Sequence, residues 1–478
     1  MSILSRIILA FLLALTGCNV ATERSDVGQT AGCPSLGDSP GSSGRGDPVL
    51  PLLGNGGYDV SHYSLDLTID PEPNHLSAVV DVDATATQEL SAFNLDFAGP
   101  PIREVTVDDR SAGYCRDGGE LTVVPAERLP DGARFTVRVR YAGSPRPVTR
   151  PGAPGPEGWI RVSEEQVSAG GLWGAETVLF PANATNEDKA TFLLRITLPL
   201  PLAVAATGRL TDTVENDGST TYTWTSDVPT PTSRISFATG RFTVEHQKGP
   251  RGLRIENLFP PDTPEDLRVD LELATPIIRT LSALLGPFPF DTFGFTWVPG
   301  TPEETAISPQ TRIFILSLPR LSEGDLAHEI GHQWFGNSVT PATSQDDWLS
   351  EGFATYVDAL WTEHVLGPDS RDTLPIAWLA RLGERTRPLA QVSKPEELGD
   401  YVTYFRGAST LHALREEVGD KAFFRILRRY SADFRYSSAT TEDFVAVAEE
   451  VSDRDLASFF DGWLYEETVP EIPSLDTS

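Results

Sequence analysis

The stretch LAHEIGHQWFGNSVTPATSQDDWLSEGFATYVD, from Leu326 to Asp358, carries three side chains whose spacing suits a metal ion. His328 and His332 are four residues apart, so on a helix they lie one turn apart on the same face and both imidazoles can reach one cation. Glu351 follows after eighteen intervening residues and can supply a third ligand. Two histidines and one glutamate leave the fourth position of a tetrahedral zinc open for water, which is typical of catalytic sites.

The same stretch predicts two helices. Ser322 with Asp325 three residues later resembles a capping box, which predicts that a helix begins here and carries both histidines. Apolar residues recur with helical spacing between Trp348 and Leu360, so a second helix is expected to begin close to Glu351. Glu329 lies between the two histidines and projects beside the cation, where a carboxylate can act as a general base on water.

The composition is that of an acidic globular protein with two domains. The chain has 478 residues, of which 40% are hydrophobic and 9% aromatic, and this length exceeds what one compact core usually holds. The formal charge is −30, from 38 Lys and Arg against 68 Asp and Glu. Such a surface repels nucleic acid and favours cationic partners, including the protonated amino terminus of a peptide.

The first residues predict export. Residues 1–17 contain Arg6 and then an apolar run too short to span a bilayer permanently, which is the layout of a signal peptide. The sequence LTGC, which ends at Cys18, resembles the bacterial lipobox, in which the cysteine is lipidated; the alternative is an ordinary signal peptide cut nearby. We therefore expect a lipid anchor on the bacterial cell membrane or outer membrane, on the periplasmic or surface side.

Residues 18–48 are rich in small and polar residues and predict a flexible tether between the lipid and the folded protein. The chain has 3 cysteines, and if Cys18 carries the lipid, Cys33 and Cys115 remain as a candidate disulfide in an oxidising compartment. None of the cysteines is placed to bind zinc or to act as a nucleophile.

Beyond the tether, apolar residues alternate with polar ones in several runs that are separated by Pro, Gly and Asp turns. This period of two predicts an antiparallel β sandwich or saddle. We place this domain at residues 49–248, because the last β-like run ends just before Gly249. The alternating apolar residues are Tyr63, Leu65, Leu67 and Ile69; Val80, Val82, Ala84 and Ala86; Phe135, Val137, Val139 and Tyr141; Phe192, Leu194, Ile196 and Leu198.

Two segments, HEIGHQWFGNSVT (His328–Thr340) and DWLSEGFATY (Asp347–Tyr356), resemble the aminopeptidase N (membrane alanyl aminopeptidase) family of gluzincin zinc metallopeptidases, in a short two-domain bacterial lipoprotein form. Weaker similarity runs from about Tyr58 to Pro470. The resemblance implies a multidomain fold, β followed by α+β: an antiparallel β-sandwich or saddle domain, then a thermolysin-like, mainly helical zinc catalytic domain at residues 249–472, and a tail at 473–478. It also implies one Zn²⁺ per chain, held by His328, His332 and Glu351.

Relatives carry a Gly-x-Met-Glu-Asn motif whose glutamate binds the free amine of the substrate. The matching region of this chain, Gly300–Arg312, lacks the Met and the Asn. Counting back from Arg312 gives Glu304 as the amine-binding residue, whereas counting forward from Gly300 gives Glu303. We favour Glu304, and both remain candidates.

Tyr404 matches the family tyrosine that donates a hydrogen bond to the oxyanion, and Tyr401, one turn earlier, is the rival candidate. Asp358 is seven residues after Glu351 and therefore on the same helix face, which makes it a candidate acceptor for the second N–H of a ligand imidazole. A solvated surface carboxylate is the alternative interpretation of Asp358.

Together these residues predict a zinc-dependent aminopeptidase that hydrolyses the first peptide bond of peptides with a free amino terminus, with Glu329 as general base and Tyr404 as oxyanion donor. We expect a monomer that contacts the membrane through its lipid and binds no nucleic acid. One alternative is a zinc endopeptidase or broad peptidase without restriction to the amino terminus. Another, from a different class, is a catalytically silent, membrane-anchored peptide-binding module.

Overall fold

The structure, a computed structural model, describes residues 33–149, 153, 155–383 and 386–472. The predicted signal peptide, Cys18 and the tail 473–478 lie outside the described residues. Two large hydrophobic cores organise the chain, one built mainly from the first half and the other mainly from the second half. This confirms the predicted order of a β domain followed by a mainly helical domain.

The first half of the chain forms strands. Their bounds are β1 Tyr58–Asp70, β2 His75–Ala86, β3 Phe93–Asp96, β4 Ile102–Val107, β5 Arg110–Ser111, β6 Gly113–Asp117, β7 Glu120–Val124, β8 Arg134–Gly143, β9 Val148–Thr149, β10 Pro156–Arg161, β11 Val167–Gly170, β12 Ala190–Pro199, β13 Ala203–Ala206, β14 Arg209–Asn216, β15 Ser219–Thr230 and β16 Phe237–Gly240.

The largest sheet has eight strands in the order β14-β15-β12-β1-β2-β8-β4-β5, beside a five-stranded sheet β13-β16-β11-β10-β9 and a three-stranded sheet β3-β7-β6. The alternating apolar residues named above are all buried, as the period of two predicts. One pairing differs from the antiparallel prediction, because β1 and β12 run parallel. A parallel pair needs a long crossover, and here most of the domain lies between the two strands.

The second half adds short strands and most of the helices. The strands are β17 Thr243–Lys248, β18 Arg254–Phe259, β19 Thr292–Phe293, β20 Phe295–Val298, β21 Thr305–Ile307, β22 Ile313–Leu316, β23 Thr340–Pro341 and β24 Ser438–Ala439. The helices are α1 Glu265–Leu271, α2 Ala274–Leu285, α3 Glu323–Gly331, α4 Trp348–Leu366, α5 Thr373–Leu382, α6 Tyr401–Val418, α7 Asp420–Asp433, α8 Thr441–Ser452 and α9 Ala457–Phe460. Within the described ranges, no helix is both long enough and apolar enough to cross a bilayer.

One sheet, in the order β17-β18-β20-β22-β21 with β19 beside β18, joins the two halves. Its strands β20 and β22 are buried on both faces, and successive residues contribute to different cores. Trp297 and Ile315 belong to the helical core, whereas Val298 and Leu316 belong to the core of the β domain. The predicted boundary at residue 249 falls in the turn between β17 and β18, which pair along their whole length, so β17 belongs to this shared sheet.

The described part of the predicted tether, residues 33–48, differs from the expectation of a flexible segment. Cys33 forms a disulfide with Cys115 of β6. The backbone N–H of Gly41 donates to the carbonyl of Ala92 at 2.8 Å. Further along, the Asp47 carboxylate accepts hydrogen bonds from the N–H and hydroxyl of Ser344, at 2.8 and 2.6 Å. A polar composition does not predict such order because the contacts that create it lie far away in the sequence.

The disulfide between Cys33 and Cys115 should stabilise the β domain, because it closes a loop across 82 residues and so restricts the unfolded chain. Replacing both cysteines by serine should lower the free energy of unfolding by about 2–5 kcal/mol. Urea unfolding of the oxidised protein and of the double variant measures this difference. Equal midpoints and slopes for the two proteins would show that the bond does not contribute.

Candidate active site

Three ligand atoms converge between α3 and α4. The Nε2 atoms of His328 and His332 are 3.2 Å apart, and Oε2 of Glu351 lies 3.5 Å from the first and 3.4 Å from the second. His328 and His332 are buried and Glu351 is half-buried. These residues form a group that could hold a metal ion.

The chemistry of this group fits zinc. Nδ1 of His332 lies 3.2 Å from the carbonyl of Phe335 and 3.3 Å from the hydroxyl of Ser350. A carbonyl can only accept, so Nδ1 carries the proton and Nε2 presents a lone pair toward the other two ligands. Three electron-pair donors this close together repel one another unless a cation lies between them. Two imidazoles and one carboxylate are the donor set of catalytic zinc.

The ligands lie at the C-terminal end of α3 and at the N-terminal end of α4. Ser322 caps α3 by accepting from the N–H of Asp325 at 3.1 Å, which is the start that the sequence predicts, and His332 is its C-cap residue. Glu351 lies in the first turn of α4. A Cβ on Gly331 would meet the side chain of Val357 at 3.2 Å, so the helices pack closely where the ligands meet.

A glycine contact brings Tyr404 to the site. A Cβ on Gly352 would lie 2.8 Å from the Cα of Gly407, so α4 and α6 touch through their backbones. Gly352 directly follows Glu351, and Gly407 is one turn beyond Tyr404. The Tyr404 ring consequently stacks parallel to His328 at 5.9 Å. Burial raises its pKa well above the usual value, and the ring lies close enough to Glu351 for that carboxylate to raise the pKa as well, which keeps the phenol protonated as a donor.

The rival tyrosine, Tyr401, begins α6 and packs partly buried against the helical core. Its position one turn before Tyr404 gives it a packing contact, and the ring stack on His328 belongs to Tyr404. The structure therefore brings Tyr404 to the ligand group.

Glu329 lies beside the ligands and is buried, with 7% of its surface exposed. Its Oε2 accepts a short hydrogen bond from the hydroxyl of Ser308. Burial raises the pKa of Glu329 to about 7, against the opposing effects of His328 and of the Ser308 hydroxyl. For Glu351, burial alone would raise the pKa, but the two imidazoles hold it well below its usual range.

The two glutamates that compete for the amine-binding role have different surroundings. Glu303 is half-buried, and its Oε1 lies against Gly155 of the β domain. Burial, and after it the charge of Glu157, raises the pKa of Glu303. Glu304 is exposed.

Asp358 is not hydrogen-bonded to a ligand imidazole. Its carboxylate instead lies against Gly324 in the first turn of α3 and accepts from Thr362 at 3.4 Å. Asp358 nevertheless lies close enough to His328 for the charge of that imidazole to oppose the effect of burial, which raises the pKa of Asp358 to about 6. Nδ1 of His328 has no hydrogen-bond partner among the described residues.

Several residues near the site carry no motif that could have indicated them. Arg234, from the turn between β15 and β16, is buried, and its Nη2 lies 3.6 Å from where a Cβ on Gly336 would be. Lys189 donates to the carbonyls of Asn337 and Ser338, just after α3, at 3.4 and 3.2 Å. The β domain thus supports the end of the helix that carries the histidines.

Arg406 fixes the other side of α6. It is fully buried, and its guanidinium donates to backbone carbonyls from two distant segments. These are the carbonyls of Trp463, Arg387, Glu467, Gly462 and Glu466, at 2.9, 2.7, 3.2, 3.2 and 2.6 Å. The helix that carries Tyr404 is thereby tied to residues 462–467.

Comparison with known proteins agrees with this geometry. The model of the peptidase family M1 domain matches residues 320–463. A variant of the M1 zinc metallopeptidase from Deinococcus radiodurans, solved bound to a Tyr-Ser-Ala substrate, is 30% identical, with a TM-score of 0.82 over 90% of this chain and 99% of that chain. The chain belongs to peptidase family M1.

Among the M1 relatives, the solved structure from Deinococcus radiodurans is covered over its whole length, whereas the curated proteins are longer than this chain. The parent Deinococcus radiodurans enzyme is 29% identical, with a TM-score of 0.84 over 91% of this chain and 100% of that chain. Leucine aminopeptidase 2 from Emericella nidulans is 28% identical over 330 residues, which are 63% of this chain and 52% of that protein. The chain thus spans about half the length of the curated relatives it matches.

The zinc content of variants should distinguish the three metal ligands from Glu329, which lies beside them. We expect His328→Ala, His332→Ala and Glu351→Ala each to lose stoichiometric zinc, because each removes one of three protein ligands. Glu329→Gln should keep the metal. Elemental analysis after dialysis against a weak chelator checks this, and loss of zinc from the Glu329 variant would assign that residue to the ligand set.

Proposed function

We propose that the chain is a zinc-dependent aminopeptidase that hydrolyses the first peptide bond of peptides with a free amino terminus. The observation that carries this proposal is the place of Glu304 immediately before β21, the strand whose other end leads to Ser308 and its contact with Glu329. It is supported by the M1 relative from Deinococcus radiodurans that was solved with a Tyr-Ser-Ala substrate.

β21 comprises Thr305–Ile307, with Glu304 directly before it and Ser308 directly after it. Side chains of a strand alternate between its two faces, and continuing this alternation by one residue at each end would put 304, 306 and 308 on one side. Ala306 packs against the helical core, and Ser308 binds the general base Glu329. Ile307 packs against the core of the β domain instead, and the carboxylate of Glu303 also lies against the β domain, at Gly155. On this continuation Glu304, which is exposed, would face the side of Glu329, and we propose it for the amine-binding role.

When bound, zinc would polarise the scissile carbonyl and lower the pKa of water to about 7. Glu329 would take the proton of the attacking water and pass it to the leaving amine. Tyr404 would donate its hydroxyl hydrogen to the oxyanion, an interaction typically worth about 3 kcal/mol. Glu304 would hold the amino terminus, so that the first peptide bond meets the general base.

The silent peptide-binding module needs neither a general base nor an oxyanion donor beside the ligands. The arrangement of Glu329 and Tyr404 around one ligand group favours catalysis over that alternative. An endopeptidase is the closer rival, because it would use the same groups without Glu304.

We also propose export and lipid anchoring through Cys18. The support is the LTGC sequence together with the disulfide between Cys33 and Cys115, a bond that persists in oxidising compartments. Metabolic labelling with a fatty-acid analogue in a bacterial host, compared with Cys18→Ser, tests the anchor; equal labelling of both would refute it.

Substrate choice tests the aminopeptidase proposal. We expect the protein without residues 1–32 to cleave unblocked aminoacyl amides and dipeptides, to leave the same compounds intact when the amine is acetylated, and to lose activity with a chelator. Cleavage of the acetylated compounds would instead establish the endopeptidase, and inactivity on both would favour the binding module.

The two glutamates give a sharper test of the amine site. Glu304→Ala should raise KM for free-amine substrates and lower kcat/KM by about 100-fold, because a charge-assisted contact of about 3 kcal/mol is lost. Glu303→Ala, at the neighbouring position, is the matched control and should change kcat/KM little. The reverse result would transfer the role to Glu303.

A matched pair of tyrosine variants tests the oxyanion donor. Tyr404→Phe should lower kcat by about 100-fold with zinc retained, because one donor to the developing charge is removed. Tyr401→Phe should leave kcat close to that of the wild type. Equal losses in both variants would point to helix packing rather than to a hydrogen bond in the transition state.

A further inference from the structure

Ser308 immediately follows β21 and contacts the general base directly. Its hydroxyl donates to Oε2 of Glu329, and each of the two residues is 7% exposed. A hydrogen bond to a carboxylate is roughly twice as strong as one between neutral groups. In a buried site, where water cannot replace the donor, this bond restricts how the carboxylate can rotate.

The position of Ser308 is itself fixed by the segment that follows α3. Asn337 donates its side-chain N–H to the Ser308 carbonyl at 2.9 Å. Gln333 donates to the carbonyl of Pro309 at 3.3 Å and accepts from the N–H of Thr311 at 2.9 Å. Residues 308–311 are therefore attached at both ends to the part of the chain that carries the ligands.

This attachment has a consequence for the reaction. The helix places the backbone of Glu329, but its side chain has several rotatable bonds, and burial alone does not select one rotamer. With Oε2 held by Ser308, rotation of the carboxylate is restricted and Oε1 is the oxygen that remains to receive a proton. Proton transfer requires this oxygen within hydrogen-bond reach of the water.

We propose that Ser308 is a positioning residue for the reaction: its hydroxyl holds one oxygen of Glu329 so that the other faces the attacking water. This inference rests on the proposed function, since it assigns a part in the same hydrolysis. Ser308 acts through Glu329 and does not itself touch the substrate.

The first test is Ser308→Ala. We expect kcat to fall by about 10- to 100-fold, as for other residues that orient catalytic groups, while KM changes by less than about two-fold and bound zinc stays stoichiometric. A residue that only supports the fold would change KM, zinc content and thermal stability together. That pattern, or a kcat above half of the wild-type value, would overturn the proposal.

The matched control is Ser338→Ala. Ser338 is also a buried serine close to the end of α3, and its hydroxyl has no hydrogen-bond partner among the described residues. Removing this hydroxyl should leave kcat, KM and zinc content near wild-type values. An equal loss of kcat in both variants would refute a specific role for the bond from Ser308.

A pair of isosteric variants keeps the test decisive if alanine disturbs the fold. Ser308→Thr and Ser308→Val have the same shape, and only the first retains a hydroxyl. We expect the threonine variant to exceed the valine variant in kcat by about 10-fold or more. Equal rates would overturn the proposal, whereas an inactive wild-type protein would instead refute the proposed function on which it rests.

Discussion

The backbone contact between α4 and α6 at Gly352 and Gly407 is the constraint on which the site depends. No side chain fits between these helices at that point. The contact therefore sets how close Tyr404 comes to Glu351, and a larger residue at either position would move the tyrosine away from the ligands. The approach of α3 to α4 at Gly331 has the same effect on the histidines. Small residues here determine the dimensions of a polar site.

Polar contacts from the β domain and from the shared sheet hold the residues around the ligand group in addition to the helix packing. The sheet β17–β22 presents one face to each core, so the loop after β21 can reach Glu329 while its strand is held from both sides. Arg234 and Lys189 reach the end of α3 from the β domain. The reactive groups are consequently held by both halves of the chain, although all three ligands come from a single stretch of 24 residues, 328–351.

The group of metal ligands could be predicted from the sequence because helical spacing fixes which side chains share a face. The alternation in β1, β2, β8 and β12 was equally informative, since it depends only on neighbouring residues. The choice between Glu303 and Glu304 could not be made from the sequence, because an insertion relative to the family motif leaves the register open, and the preference for Glu304 stays a proposal. Ser308 and Arg234 were not predicted, because their contacts join segments that are distant in sequence.

Asp358 shows what helical spacing alone does not predict. It lies near α3 and His328, as its helix face predicts, but whether a hydrogen bond to the imidazole forms depends on the side-chain geometry, which the spacing does not fix. The order of residues 33–48 was missed for a similar reason, since composition describes what a segment could do alone. A disulfide and the carboxylate of Asp47 attach this segment to the rest of the protein.

Arg406 has a consequence for the order of events during synthesis. Its guanidinium needs carbonyls from residues 462–467, and a buried cation without its acceptors is strongly unfavourable. Because those residues follow α6 in the chain, α6 cannot reach its final environment until they have been made. Tyr404, one turn or less from Arg406, therefore joins the ligand group later than the histidines and the glutamate can come together.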